Sequence, residues 1–511
     1  MQAFLLNQLS QTIARAPMRR APLNVDQRFA GYIAKYEKLR NIVGFHDEHL
    51  WRRYAIRRIM KRYLILPSKE RPGAEELLGE LVLAGYLSDV DVNPESTARV
   101  DAVLDKYLSA IDFFRMESGG KKKIQDWFFG LMAIEIEDVL GLLAHEEALV
   151  AAMTSELQAR LEFPPHYLRD EQKEIFLLIT TSRSLLKSDA DFIAYLLIKK
   201  WHPAWFTDSS AISRLAMEIW DLKSQIAQYE KHPMFKQLTR IGKQQAVVFW
   251  VLDEVLKKYQ GEVQDLSFKV FNVVREIYFN LQKKVKRQVW RSFLYLLLTK
   301  FILIVLIEMP YDWWRTGQLH QLQSLITVGV PVFLLLILTI GIEVGNQANT
   351  KMLIKEVDNL VNNKPTELDV KIALPHERSL ARSILFNFFF AVAYGLSYGG
   401  LVYFLLRFHF NEVSGFLLML FVTLVSYMAI RIRYTSERFR ILPRRYWFGR
   451  EALYFFALPV VWTGRWIATR FSQYNIILLI FDLFFEAPYK TLVFVFRDFS
   501  DFAREMREDI Q

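Results

Sequence analysis

Four apolar stretches, at about 290–309, 324–344, 383–406 and 415–430, constrain this chain more than any other feature. Each is close to the ~20 residues that a helix needs to cross a ~30 Å hydrocarbon layer. Four transmembrane helices are therefore expected within 281–450. Loop charge sets their direction. Lys283, Lys284, Lys286, Arg287 and Arg291 precede the first stretch. Lys351, Lys355, Lys364, Lys371, Arg378 and Arg382 lie between the second and third. Arg431, Arg433, Arg438, Arg440, Arg444, Arg445 and Arg450 follow the fourth, and the two opposite loops hold only Arg315 and Arg407. Eighteen cations against two place both termini in the cytoplasm. The outer loops, about 310–323 and 407–414, are too short to fold into domains, so recognition or chemistry belongs to the cytoplasmic side or the bundle interior.

The rest of the chain is different. Hydrophobic residues make up 52% of the 511 residues, yet 23% are charged, so a water-exposed part must accompany the membrane part. Residues 1–280 repeat apolar positions at three- and four-residue spacing, with no sustained period of two. Helices are expected at roughly 24–43, 47–65, 72–87, 94–116, 121–161, 170–187, 189–200, 208–230, 233–260 and 262–290, the last running straight into the first span. Capping signals open several of them, as in "SDADF" at 188. The fold class is thus all-α: a polytopic membrane protein with a cytoplasmic multi-helix domain and a four-helix bundle. Residues 451–511 stay apolar but carry Pro459, Gly464, Arg465, Asp482 and Glu486. Amphipathic helices in the interface or against the bundle suit them, with a re-entrant hairpin over 452–470 as the alternative.

Lys300 lies near the middle of the first span. Trp290 and the pair Trp313–Trp314 mark its ends, and ten residues from Trp290 is about 15 Å along a helix. A lysine there needs polar company. Glu308 stands two turns outward, about 12 Å along the axis, which argues against an ion pair. Tyr394, Ser397 and Tyr398 of the third span, or Thr423, Ser426 and Tyr427 of the fourth, are the nearer candidates. Lys300 is then a structural lysine held by hydroxyls and carbonyls, part of a transport path, or a snorkelled lysine in a span set lower in the membrane. Gly395 with Gly399, and Gly341 with Gly345, stand four apart, a spacing that lets helix backbones approach, within the bundle or between subunits of a homo-oligomer.

"WRRYAIRRIMKRYLIL" (51–66) sets Arg53, Arg57, Arg58, Lys61 and Arg62 on one helical face. Anionic membrane lipid and plain solvent are the two partners considered for it. The N-terminal 24 residues contain arginines and no acid, which fits an amphipathic helix or a mitochondrial presequence. A calcium loop at 89–100 fails, with Pro94 and Val100 at key positions. "EIEDVL" (135–140) with His145 has no ExxH pairing and reads as a solvated acidic face. No metal site or cofactor is expected. Walker A, GxGxxG, HExxH and GxSxG are missing, and the chain has no cysteine for thiol chemistry. Nucleic acid is not an expected partner, since no nucleic-acid module surrounds the basic helix. Two functions remain: a non-enzymatic scaffold with a cytoplasmic protein partner, or a channel or transporter using Lys300. The expected membrane is the prokaryotic inner (plasma) membrane, with the mitochondrial inner membrane as the alternative.

Overall fold

The computed structural model describes residues 50–65, 73–87, 94–118, 122–207, 212–260, 264–318, 321–340, 342–366, 368, 371–374, 380–442 and 448–474. Residues 1–49, 88–93, Gly341 and 475–511 lie outside them, and with these the expected N-terminal helices, half of the Gly341–Gly345 pair and the C-terminal amphipathic helices.

The described chain is almost entirely helical. The first part comprises α1 (Trp51–Ile65), α2 (Ala74–Leu83), α3 (Pro94–Ser118), α4 (Lys122–Val139), α5 (Ala144–Arg160), α6 (Asp170–Thr181), α7 (Ala190–Trp201), α8 (Ala204–Thr207), α9 (Ile212–Lys231) and α10 (Pro233–Lys258). The capping expectation at 188 holds, because the Asp189 side chain accepts a hydrogen bond from the Phe192 amide at 3.0 Å. The single helix expected over 121–161 is broken. Gly141 takes a left-handed φ of +74°, which only glycine adopts without strain, and it separates α4 from α5. The 170–187 segment also changes character, ending in a π-helical turn, Ser182–Leu186, closed by left-handed Lys187.

Large aromatics fill the core. Tyr107, Trp127, Phe128, Phe192 and Trp205 are buried, and Tyr107 meets Trp205 edge-on at 5.4 Å between ring centroids. α1 contributes Ala55, Ile56, Ile59 and Met60.

α11 (Leu266–Leu303) then begins in this domain, continues through a second π-helical turn, Ile304–Glu308, and ends as α12 (Met309–Thr316). The resulting helix of 51 residues contains the first of four apolar stretches long enough to cross a membrane, followed by Leu322–Thr339, Ile384–Arg407 and Glu412–Ser436. The last three belong to α13 (Gln321–Thr339), α15 (Leu380–Arg407) and α16 (Glu412–Ser436). Their exteriors carry exposed Phe, Leu and Ile side chains, such as Phe386, Leu396 and Phe416.

Between α13 and α15 lies α14 (Gln347–Val361), which packs on the helical domain. Its Leu353, Val357 and Leu360 recur at helical spacing and join the same core as Val270, Val273 and Val274 of α11. Leu368, Ile372 and, from beyond α16, Ile441 join it too. The helical domain is therefore not built from residues before 280 alone: two loops of the bundle are part of its core. α17 (Phe448–Tyr474) is one helix of 27 residues with Pro459 inside it. The re-entrant hairpin does not form. α17 packs on α16 and α15 instead, where a side chain at Gly464 would meet the Thr423 carbonyl oxygen at 2.2 Å.

Candidate functional site

The buried polar cluster of the bundle is built on α11. Lys300 is 0% exposed and its Nζ donates to Glu308 Oε1 at 2.7 Å. This corrects the expectation that Glu308 was out of reach, and the physical cause is the π-helical turn. Residues eight apart on a regular α-helix point about 80° apart, at about 100° per residue. A wider turn absorbs one extra residue, and the two side chains return to within about 20° of one face. The lysine stem and the glutamate bridge the axial separation.

Other spans complete the site. Thr327 of α13 donates its hydroxyl to Glu308 Oε2 at 3.2 Å, and Lys300 Nζ sits 5.0 Å from the Phe421 ring centroid of α16. Further along the same helix, buried Asp312 accepts a hydrogen bond from the Asn411 side chain amide, while Asn411 Oδ1 caps α16 through the Ser414 amide. Arg315 pairs with Glu412, and Tyr311 donates to Glu412 at 3.4 Å. A polar column thus runs from Lys300 to the chain end of the first span. Sequence reasoning missed Thr327, Asp312 and Asn411. No pattern in the sequence signals them, because their contacts depend on the register shift at 304–308.

Four of the hydroxyls expected around Lys300 are engaged elsewhere, and the buried Tyr398 hydroxyl has no hydrogen-bond partner among the described residues. Tyr394 stands 3.3 Å from the Thr463 hydroxyl of α17 and stacks on Tyr398, and Ser397 donates to the Ala393 carbonyl. Thr423 and Ser426 donate to backbone carbonyls of their own helix. The glycines expected at helix crossings make none within the described chain. Gly345 lies beyond the end of α13 with φ +71°, and a side chain there would strike the Tyr278 ring at 2.2 Å, so it serves a turn rather than a helix crossing. Around Gly395 and Gly399 nothing lies within 4 Å of where a Cβ would be. They mediate no helix contact within the described chain, where Gly464 does that work.

The basic face of α1 points inward. Buried Arg53 bonds Glu137 at 2.5 Å and Glu146 at 2.8 Å, with its guanidinium 4.8 Å from the Phe192 ring centroid. Arg52 also reaches Glu137 at 2.7 Å, Arg57 bonds Asp191 at 2.9 Å, and Lys61 bonds Asp126 at 2.7 Å. Arg58 is half-buried, and the side chain of Arg62 lies outside the described residues. Arg53, Arg57 and Lys61, for which anionic lipid or solvent was expected, are instead ion-paired with the "EIEDVL" helix and its neighbours. That helix is not a solvated acidic face, because Glu135 and Glu137 are buried. Glu135 holds Lys106 and accepts from the Tyr107 hydroxyl at 2.9 Å. Burial pushes its carboxyl above the ordinary carboxylate range. Burial and the nearby Asp189 charge push Asp191 up to about 6, against the pull of Arg57. Gly130 makes room for that carboxylate, since a Cβ there would lie 2.0 Å from Asp191 Oδ2. His145, the imidazole beside the acidic helix, bonds Asp253 at 2.8 Å.

Asn349 is the joint between domain and bundle. Its Nδ2 donates to the Tyr278 hydroxyl at 2.7 Å and to the Phe439 carbonyl at 2.8 Å, and its Oδ1 accepts from the Ile441 amide at 2.8 Å. One side chain so ties α11, α14 and the segment after α16. No family model matches the chain, and no curated protein and no solved structure matches it significantly.

Proposed function

We propose that this chain is a non-enzymatic integral membrane protein, a scaffold whose four-helix bundle anchors a helical domain on the cytoplasmic face and presents it to a protein partner. The observation that carries this reading is the join between the two parts. A helix runs unbroken from Leu266 to Thr316, and two bundle loops are built into the domain core around Asn349. An anchor that only tethered its domain would need neither. The excess of cations in those loops supports a cytoplasmic position, in the inner membrane of a prokaryote or of a mitochondrion. Trp201 and Met217 stand exposed beside the His202–Glu218 contact at 3.3 Å, and large apolar side chains of this kind act as interface anchors. Cross-linking in the native membrane, followed by purification of the full chain, tests the reading. A partner species that disappears with Trp201→Ala/Met217→Ala supports it, and a wild-type chain that forms no cross-linked species contradicts it.

A transport path is the second reading, favoured by the polar column from Lys300 through Glu308 and Thr327 to Asp312. Its test is solute flux into proteoliposomes. Flux that Lys300→Met abolishes supports transport, and flux that Lys300→Met leaves unchanged removes that residue from any path.

A further inference from the structure

We infer that the groove between α11 and α13, on the side of the bundle that faces the helical domain, holds one anionic phospholipid, its acyl chain between the helices and its phosphate at Lys286. The inference rests on the membrane reading above. The groove has a volume of about 490 Å³. Val285, Val289 and Phe293 of α11, at helical four-residue spacing, form one wall, and Leu336 of α13 with Ile342 beyond it forms the other. The polar lining is confined to Gln282, Lys286 and Thr339, and the Thr339 hydroxyl donates within its own helix, to the Leu335 carbonyl at 2.7 Å. One end of the groove is therefore cationic and the other apolar, the pattern of a lipid.

Charge complementarity selects the headgroup. Lys283, Lys284, Lys286, Arg287 and Arg291 have no carboxylate partner among the described residues, and of the five only Lys286 lines the groove. Trp290, exposed at the mouth, is a side chain suited to headgroup depth, which places the apolar end among acyl chains. A phosphate at Lys286 and a chain against Phe293 and Leu336 would satisfy both ends at once.

Native mass spectrometry of the full chain with equal phosphatidylglycerol and phosphatidylcholine tests the site. The expected result is retention of one phosphatidylglycerol at least tenfold above phosphatidylcholine. Lys286→Glu and Val289→Trp should each abolish that preference, with helical circular dichroism unchanged, and Lys284→Ala should preserve it. Equal retention of the two lipids, or a preference that survives both groove variants, overturns the proposal. Flotation of the same samples with vesicles separates the two levels: a chain that floats without lipid preference fails the groove alone, and a chain that does not float fails the membrane reading with it.

Discussion

Two basic helical segments, Arg52 to Arg62 in α1 and Lys283 to Arg291 in α11, look alike in sequence: five or more cations within three turns beside an apolar face. In the folded chain they differ completely. Arg52, Arg53, Arg57 and Lys61 each bond a carboxylate, two of them sharing Glu137. Lys283, Lys284, Lys286, Arg287 and Arg291 bond none among the described residues. A run of cations therefore does not say whether its partner is inside the protein or outside it. What decides is whether acids lie on the helices that pack against it, and for α1 those acids come 65 to 134 residues after the cations they bond, from Lys61–Asp126 to Arg57–Asp191.

The largest effect that would sharpen the contrast is at Glu137. Removing one partner of a buried ion pair costs about 3–5 kcal/mol, because the remaining charge stays desolvated. Glu137→Ala leaves Arg53 with Glu146 alone and should lower stability by about that amount, read as a fall in the thermal unfolding midpoint in detergent. A variant that melts like wild type would place the α1 arginines in solvent after all.

Lys300 gives a third case, a single cation paired within its own helix. Lys300→Met alone should destabilise by a similar ~3–5 kcal/mol, while Lys300→Met/Glu308→Leu, which removes both charges, should recover most of the loss. Equal destabilisation by the single and the double variant would show that the pair is not the reason either residue is buried.

Next in size is the pH dependence at Asp191. Its folded carboxyl lies at about 6, above the ~3.9 of an unfolded aspartate, so the fold takes up a proton more readily than the unfolded chain. That contribution is fully present below about pH 4 and is lost as pH rises through about 6, a change on the order of 3 kcal/mol. Stability measured from pH 7 down to pH 4 should rise more steeply in wild type than in Asp191→Asn. Parallel curves would remove Asp191 from the titration.

Smallest is the effect of the unpaired segment. Lys284→Ala should change stability by less than about 0.5 kcal/mol, since no carboxylate loses a partner. A large loss would mean that this lysine has an internal partner and would erase the contrast with α1.

Much of the architecture was legible in the sequence. The four apolar stretches appear as helices long enough to cross a membrane, and the unbroken passage from 262–290 into the first span is present in α11. Run length and hydropathy carry that information directly. Contacts were less legible. The Lys300–Glu308 pair depends on a π-helical turn that shifts register by one residue, and no residue in "ILIVLIE" declares such a turn. Gly345, which looks like half of a packing motif, sits in a turn against Tyr278, while Gly464, which looks like a helix interruption, makes the close approach to α16. Spacing shows where two backbones could meet, and only the partner helix decides whether they do. Asn349, which joins three segments, is an unremarkable polar residue in a basic loop until Phe439 and Ile441 are brought beside it.

The join around Asn349 implies that helical domain and bundle move as one body. Because the chain has no cysteine, spin labels can be placed by single substitutions without background. Glu254→Cys in α10 and Leu406→Cys in α15 put exposed labels on the two parts. The distance between them, measured by double electron–electron resonance in lipid nanodiscs, should show one narrow distribution that broadens when Asn349→Ala is added. A broad or multiple distribution in the otherwise wild-type chain would contradict the account.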